Sequence, residues 1–137
     1  MMTNLKSEIL NPKQIIISQM TIPKRKDYDL EERTFKFARR VNQYVNNLPK
    51  TISNIENGRQ LVRSAGSVGA NYIEANESLS KKDFALRIKI SKKEAKESRF
   101  WLRLTEPNGE FIKEKEMLIA ESTELMKIFG SILEKSK

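Results

Sequence analysis

The sequence predicts an all-α fold, an antiparallel up-down-up-down four-helix bundle in a single domain. Three observations point there. Four stretches carry apolar residues at three- and four-residue spacing. The chain holds only 5 Gly and 4 Pro in 137 residues, and no proline falls inside those stretches. The connections between them are short, which favours antiparallel neighbours. A chain of this length can bury a core without disulfides or metal.

The first helix is expected from about Leu30 to Leu48. Asp29 serves as its N-cap, with Glu32 three positions on completing a capping box. Leu30, Phe37, Val41, Tyr44, Val45 and Leu48 share one face, and Pro49 stops the helix. Arg33, Lys36 and Arg40 lie on a flank away from that stripe. The second helix is expected from about Asn54 to Ser78, with a capping box of Ser53 and Glu56. Its main stripe reads Ile55, Val62, Ala65, Gly69, Ile73 and Asn76. Gly66 and Gly69 each cost about 1 kcal/mol against alanine in a helix. Close approach of another backbone is the simplest compensation, and a break near Gly66 is the alternative.

The third helix is expected from about Lys81 to Thr105, capped by Ser80 with Asp83 in its first turn. At about 100° per residue it divides into three sectors. Phe84, Ile88, Ala95, Trp101 and Leu102 form the core face. Lys81, Lys82, Lys89, Lys92, Lys93, Lys96, Arg99 and Arg103 form a basic face. Leu86, Ile90 and Leu104, with Glu97 among them, form a narrower apolar sector that suggests a further contact surface. The fourth helix is expected from about Glu110 to Glu134. Phe111, Leu118, Leu125, Phe129 and Ile132 make its stripe, widened by Ile112, Ile119, Met126 and Leu133.

Residues 1–25 read as a flexible N-terminal arm, with the bundle domain over 26–137. The arm holds Pro12 and Pro23 and shows no sustained helical period, although a short helix around Ile9 or Ile15–Ile17 is an alternative. The arm runs into the basic cluster Lys24, Arg25 and Lys26, and Met20 is a second candidate start.

Composition removes several classes of function. With no Cys there is no disulfide and no thiolate metal site. With no His there is no Ser-His or Cys-His nucleophile and no Glu-x-x-His metal bundle. The carboxylates Glu94 and Glu97 are a pair, but their basic neighbours argue against acid–base or metal chemistry, so no cofactor, metal or catalytic residue is expected. No apolar run approaches the ~20 residues of a membrane span, and a cytoplasmic protein is expected. The net charge of +8 favours polyanions. That charge is unevenly placed. Residues 80–107 carry nine Lys and Arg against four Asp and Glu, whereas residues 108–137 carry five against six. Aromatic residues are few on the basic face, so phosphate contacts are expected there in preference to base stacking.

The run Gln60-Leu61-Val62-Arg63-Ser64-Ala65-Gly66-Ser67-Val68-Gly69-Ala70-Asn71-Tyr72-Ile73-Glu74-Ala75 resembles the signature of the four helix bundle protein family, encoded within 23S ribosomal RNA intervening sequences. The likeness continues through Lys82-Asp83-Phe84, Ile88, Lys93-Glu94-Ala95-Lys96-Glu97-Ser98 and Trp101-Leu102, and covers roughly residues 28–133. It implies an antiparallel four-helix fold and assembly as a pentamer around a central channel. It also implies kinship with the accessory variability proteins of diversity-generating retroelements, which bind nucleic acid and assist a reverse transcriptase. Arg63, Gly66, Gly69, Asn71, Glu74, Glu94 and Glu97 are the signature positions. A turn near residues 79–80 places Arg63 opposite Glu94 and Glu97, and such polar positions mark architecture as readily as chemistry.

The functional expectation is a non-enzymatic homo-oligomer, most simply a homopentamer, that binds RNA or DNA through Lys82, Lys89, Lys92, Lys93, Lys96, Arg99 and Arg103. The competing expectation is a scaffold whose spare apolar sector serves assembly alone.

Overall fold

The computed structural model describes residues 29–137. The arm at 1–25, its basic cluster and the alternative start lie outside the described residues. Among the described residues four helices follow in order: α1 (Leu30–Asn46), α2 (Ile52–Glu77), α3 (Lys81–Leu104) and α4 (Ile112–Lys135). A single 3-10 turn, Gly109–Phe111, leads into α4, where the sequence suggested that the helix had already begun. Each helix packs against its sequence neighbours, and α1 closes the square against α4. The described residues form an all-α, up-down-up-down four-helix bundle with no strand.

The helix starts follow local chemistry. The Asp29 carboxylate accepts the Glu31 amide at 2.9 Å, and Ser80 Oγ accepts the Asp83 amide at 3.0 Å. The start of α2 differs from expectation. Thr51, not Ser53, is its cap, with Thr51 Oγ1 accepting the Asn54 amide at 3.1 Å. Asn54 thereby sits in the first turn, where its side chain ties two loops together. Its Nδ2 donates to Pro49 O and Glu106 O, both at 3.0 Å, and its Oδ1 accepts the Glu106 amide at 2.9 Å. Three bonds saturate an amide that is almost wholly buried, which avoids the cost of an orphaned polar group. Nearby, the buried Tyr44 hydroxyl and Thr105 Oγ1 share a bond at 2.8 Å.

The core contains the expected α1 residues Leu30, Phe37, Val41, Tyr44 and Leu48, and the expected α4 residues Leu118, Leu125, Phe129 and Ile132. Ile112, expected to widen the α4 stripe, is half exposed. Ala65 is buried as expected, but the rest of the inward stripe of α2 lies one residue before the expected one. Leu61, Ala65, Val68, Tyr72 and Ala75 are buried, while Ile55, Val62 and Ile73 face outward at 45%, 37% and 48% exposure. The cause is the α3 seam. Ser64 Oγ meets Ser98 Oγ at 2.9 Å, and Ser91 Oγ donates to Val68 O at 2.9 Å. These short polar side chains let the two backbones approach, and turning α2 to make that seam carries Val62 and Ile73 away from the core.

The helix α2 is continuous through both of its central glycines, so the break near Gly66 does not occur. A Cβ on Gly69 would lie 2.8 Å from Thr34 Oγ1 of α1, so this glycine does mark a close approach. Gly66 has nothing within 4 Å of that position and faces open space, against expectation. Gly58, which the sequence did not single out, is the second contact point, since its Cβ would lie 3.0 Å from Val45 Cγ1.

Candidate nucleic-acid interface

The α2–α3 seam has the register that the turn implied. Arg63 forms an ion pair with Glu97 and lies 3.5 Å, Nη1 to Oε1, from Glu94. Further along, Arg87 Nη1 donates to Asn71 Oδ1 at 3.0 Å, and Asn71 Nδ2 donates to Ser67 O at 2.9 Å. Glu94 is almost fully buried, Glu97 is partly covered, and Arg63 is half exposed above them. Glu94 Oε1 is buried and has no hydrogen-bond partner among the described residues, with Arg63 at ion-pair distance only. Among the described residues, no group of three or more acidic side chains is placed to hold a metal. Glu74 is exposed and forms no ion pair among the described residues.

Trp101, expected in the core, is only partly covered. Its Nε1 donates to Glu97 Oε2 at 3.1 Å, which explains its position at the seam. An indole N–H needs an acceptor, and Glu97 supplies one at the edge of the bundle. Leu86 and Leu104 of the narrow apolar sector are exposed at 54% and 45%, and Ile90 is partly covered.

The cations of α3 are distributed as the helical period requires. Lys82, Lys89, Lys92, Lys93, Lys96 and Arg103 are all exposed. Lys82, Lys89, Lys96 and Arg103 recur every seven residues, about 10 Å apart along the axis. None of the five lysines forms an ion pair among the described residues. Arg99 is different: it is partly covered, and its Nη1 donates to Thr123 Oγ1 of α4 at 3.2 Å. It is anchored to the fold and less free to reach a phosphate than its neighbours. Lys92 arches over Gly130, its Nζ lying 3.5 Å from where a Cβ would stand.

Two cations of α1 are engaged instead, while Lys36 and Arg39 are exposed and form no ion pair among the described residues. Arg33 makes a two-pronged contact with Glu121, at 2.7 and 3.0 Å, and Arg40 does the same with Glu114, at 3.1 and 3.0 Å. The Glu114 carboxylate raises the Arg40 pKa above its usual value. Sequence reasoning placed Arg33 and Arg40 on a flank but missed these partners. The signal was present: both pairs are separated by seven residues, in opposite order on antiparallel helices.

Residues 26–131 match the family model described as 23S rRNA-intervening sequence protein. A crystal structure of a protein of unknown function from the S23 ribosomal protein family of Bacteroides thetaiotaomicron VPI-5482 is 28% identical to this chain. The match covers 80% of this chain and 99% of that one, with a TM-score of 0.65. No curated protein matches the sequence.

Proposed function

Because this chain belongs to the 23S rRNA-intervening sequence protein family, we propose that it is a non-enzymatic homo-oligomeric bundle, a pentamer, that binds RNA or DNA through the outward face of α3. The observation that carries the reading is the set of exposed lysines on α3 without carboxylate partners among the described residues, in a molecule that pairs Arg33 and Arg40 of α1. Uncompensated cations in a row attract phosphates and release counterions on contact. The assembly part of the reading is supported by Ile55, Val62 and Ile73 on the outer side of α2 and by Leu86 and Leu104 on α3, all left exposed by one bundle. A ring would repeat the basic face in every subunit and raise the effective concentration of cations along a bound strand. A role beside a reverse transcriptase, which the resemblance also implies, would use the same face.

Two measurements test this. Light scattering at micromolar concentration is expected to give several times 15.9 kDa, and a monomer at every concentration defeats the oligomer. Fluorescence anisotropy at low salt is expected to show binding of RNA or DNA by the parent and none by Lys89→Glu/Lys93→Glu/Lys96→Glu. Binding by the parent that survives this replacement moves the site away from α3, with Lys24, Arg25 and Lys26 the next candidates. An absence of binding leaves only the scaffold reading.

A further inference from the structure

The basic face of α3 contains one residue that does not fit a purely ionic surface. Phe100 is 53% exposed. On a helix its surface neighbours are the residues three and four positions away: Lys96 and Glu97 on one side, Arg103 and Leu104 on the other. The phenyl ring therefore lies between two exposed cations, one helical turn to each side. It is backed by Trp101, with ring centroids 5.0 Å apart and planes at 76°. Trp101 is itself held by Glu97, and Glu97 by Arg63. The polar cluster at the α2–α3 seam thus fixes the indole against which Phe100 rests.

Phe35 on α1 makes the contrast. It is equally exposed, at 55%, but its face is covered by the Arg39 guanidinium, 5.2 Å from the ring centroid. Among the described residues no cation covers Phe100, and its ring is open to solvent. A flat apolar surface flanked by cations matches the chemistry of a nucleotide in a single strand, which offers one π-face between two phosphates. Lys96 and Arg103 stand about 10 Å apart along the axis, and their long side chains can bend inward to the two phosphates flanking one base.

We propose that Phe100 is a stacking platform for an unpaired nucleobase, with Lys96 and Arg103 holding the phosphates on either side of it. The proposal rests on the nucleic-acid reading above and makes the preferred partner single-stranded. It also departs from the sequence-level expectation of phosphate contacts alone. That expectation weighed how few aromatics the helix holds, and it overlooked that the one next to Trp101 falls inside the basic sector.

The test compares Phe100→Ala and Phe100→Trp with the parent on three labelled probes at low salt. These are a 12-nucleotide oligouridylate, an abasic strand of the same length and a 12-base-pair RNA duplex, each with a DNA counterpart. Phe100→Ala is expected to weaken binding of the oligouridylate on the order of tenfold, and to leave the abasic strand and the duplex within about twofold. Phe100→Trp is expected to keep or improve strand affinity. The ring is half exposed, so both variants should show the parent's helical circular dichroism and melting profile. Equal losses on all three probes, or no loss on the base-bearing strand, overturn the platform. A changed oligomeric state with unchanged strand affinity overturns it too and makes Phe100 a subunit contact. If the parent binds none of the probes, the nucleic-acid reading itself fails; if the parent binds and Phe100→Ala binds equally well, only the platform fails.

Discussion

Helices α1 and α3 both carry cations on their flanks, and the bundle treats them differently. On α1, Arg33 and Arg40 are drawn into two-pronged contacts with α4 and partly covered. On α3, Lys82, Lys89, Lys93 and Lys96 stand exposed and form no ion pair among the described residues. The chemistry of the side chains suits this division. A planar guanidinium matches a carboxylate with two parallel bonds and holds a register, whereas a lysine ammonium is a mobile point charge suited to phosphates. The two glycines at the centre of α2 divide in the same way: Gly69 is pressed against Thr34, and Gly66 faces open space. Residue type alone does not separate structural from available groups; what each one meets across the bundle does.

The largest expected effect on stability comes from the engaged glycine. Gly69→Leu forces a side chain into α1 and should destabilise by about 1–3 kcal/mol or more. A variant that melts like the parent would show that α1 and α2 are not in close contact there. Next is the pair Arg33→Met/Arg40→Met, which should cost about 1–2 kcal/mol, since these contacts are bidentate but only partly shielded from water. Urea denaturation reads this loss. Equal stability would place α1's arginines with α3's lysines, as surface charge.

Alkaline pH probes the interior in another way. Burial raises the pKa of Tyr72 well above its ordinary value of 10, and burial also raises that of Tyr44, with its Thr105 bond opposing. Both phenols are neutral in the fold. Their contribution to stability is fully present below pH 10, where the unfolded phenols are also neutral, and is lost as pH rises above it, where unfolding lets them ionise. Tyr72→Phe should therefore flatten the decline of stability between about pH 10 and 12. An unchanged decline would mean that other groups govern it. The smallest effect belongs to the open glycine: Gly66→Ala should stabilise by at most about 1 kcal/mol through helix propensity. Destabilisation in the isolated bundle would reveal a neighbour at Gly66 that only the assembled protein supplies, and light scattering on the same variant would confirm it.

The contrast also shows what could be read from the sequence. The four helices, the Ser80 cap and the pairing of Arg63 with Glu97 were legible because they depend on local periodicity and a short turn. The inward face of α2 was not, because Val62 and Ile73 are as apolar as Leu61 and Val68, and Ser64, Ser91 and Ser98 decide between them from another helix. The cap at Thr51 was hidden for a similar reason: Asn54 must be in the first turn of α2 to reach Glu106, more than fifty residues away. The basic face was legible as a sector, since every cation on it follows the helical period. Its subdivision was not. Arg99 is tied to Thr123 by packing, and Phe100 is exposed beside Trp101, which donates to Glu97.

The most direct test of the account is the salt dependence of nucleic-acid binding in three proteins: the parent, Arg33→Met/Arg40→Met and Lys89→Glu/Lys93→Glu/Lys96→Glu. On duplex DNA, log affinity should fall with log salt at about −0.9 per phosphate contact. The parent and the α1 variant are expected to share one steep line, although the α1 variant is the less stable protein. The α3 variant is expected to keep the parent's stability, because exposed charges contribute little to it, and to lose binding. A triple α3 variant that retains the parent's affinity and slope, or a parent that binds nothing at low salt, would contradict the account.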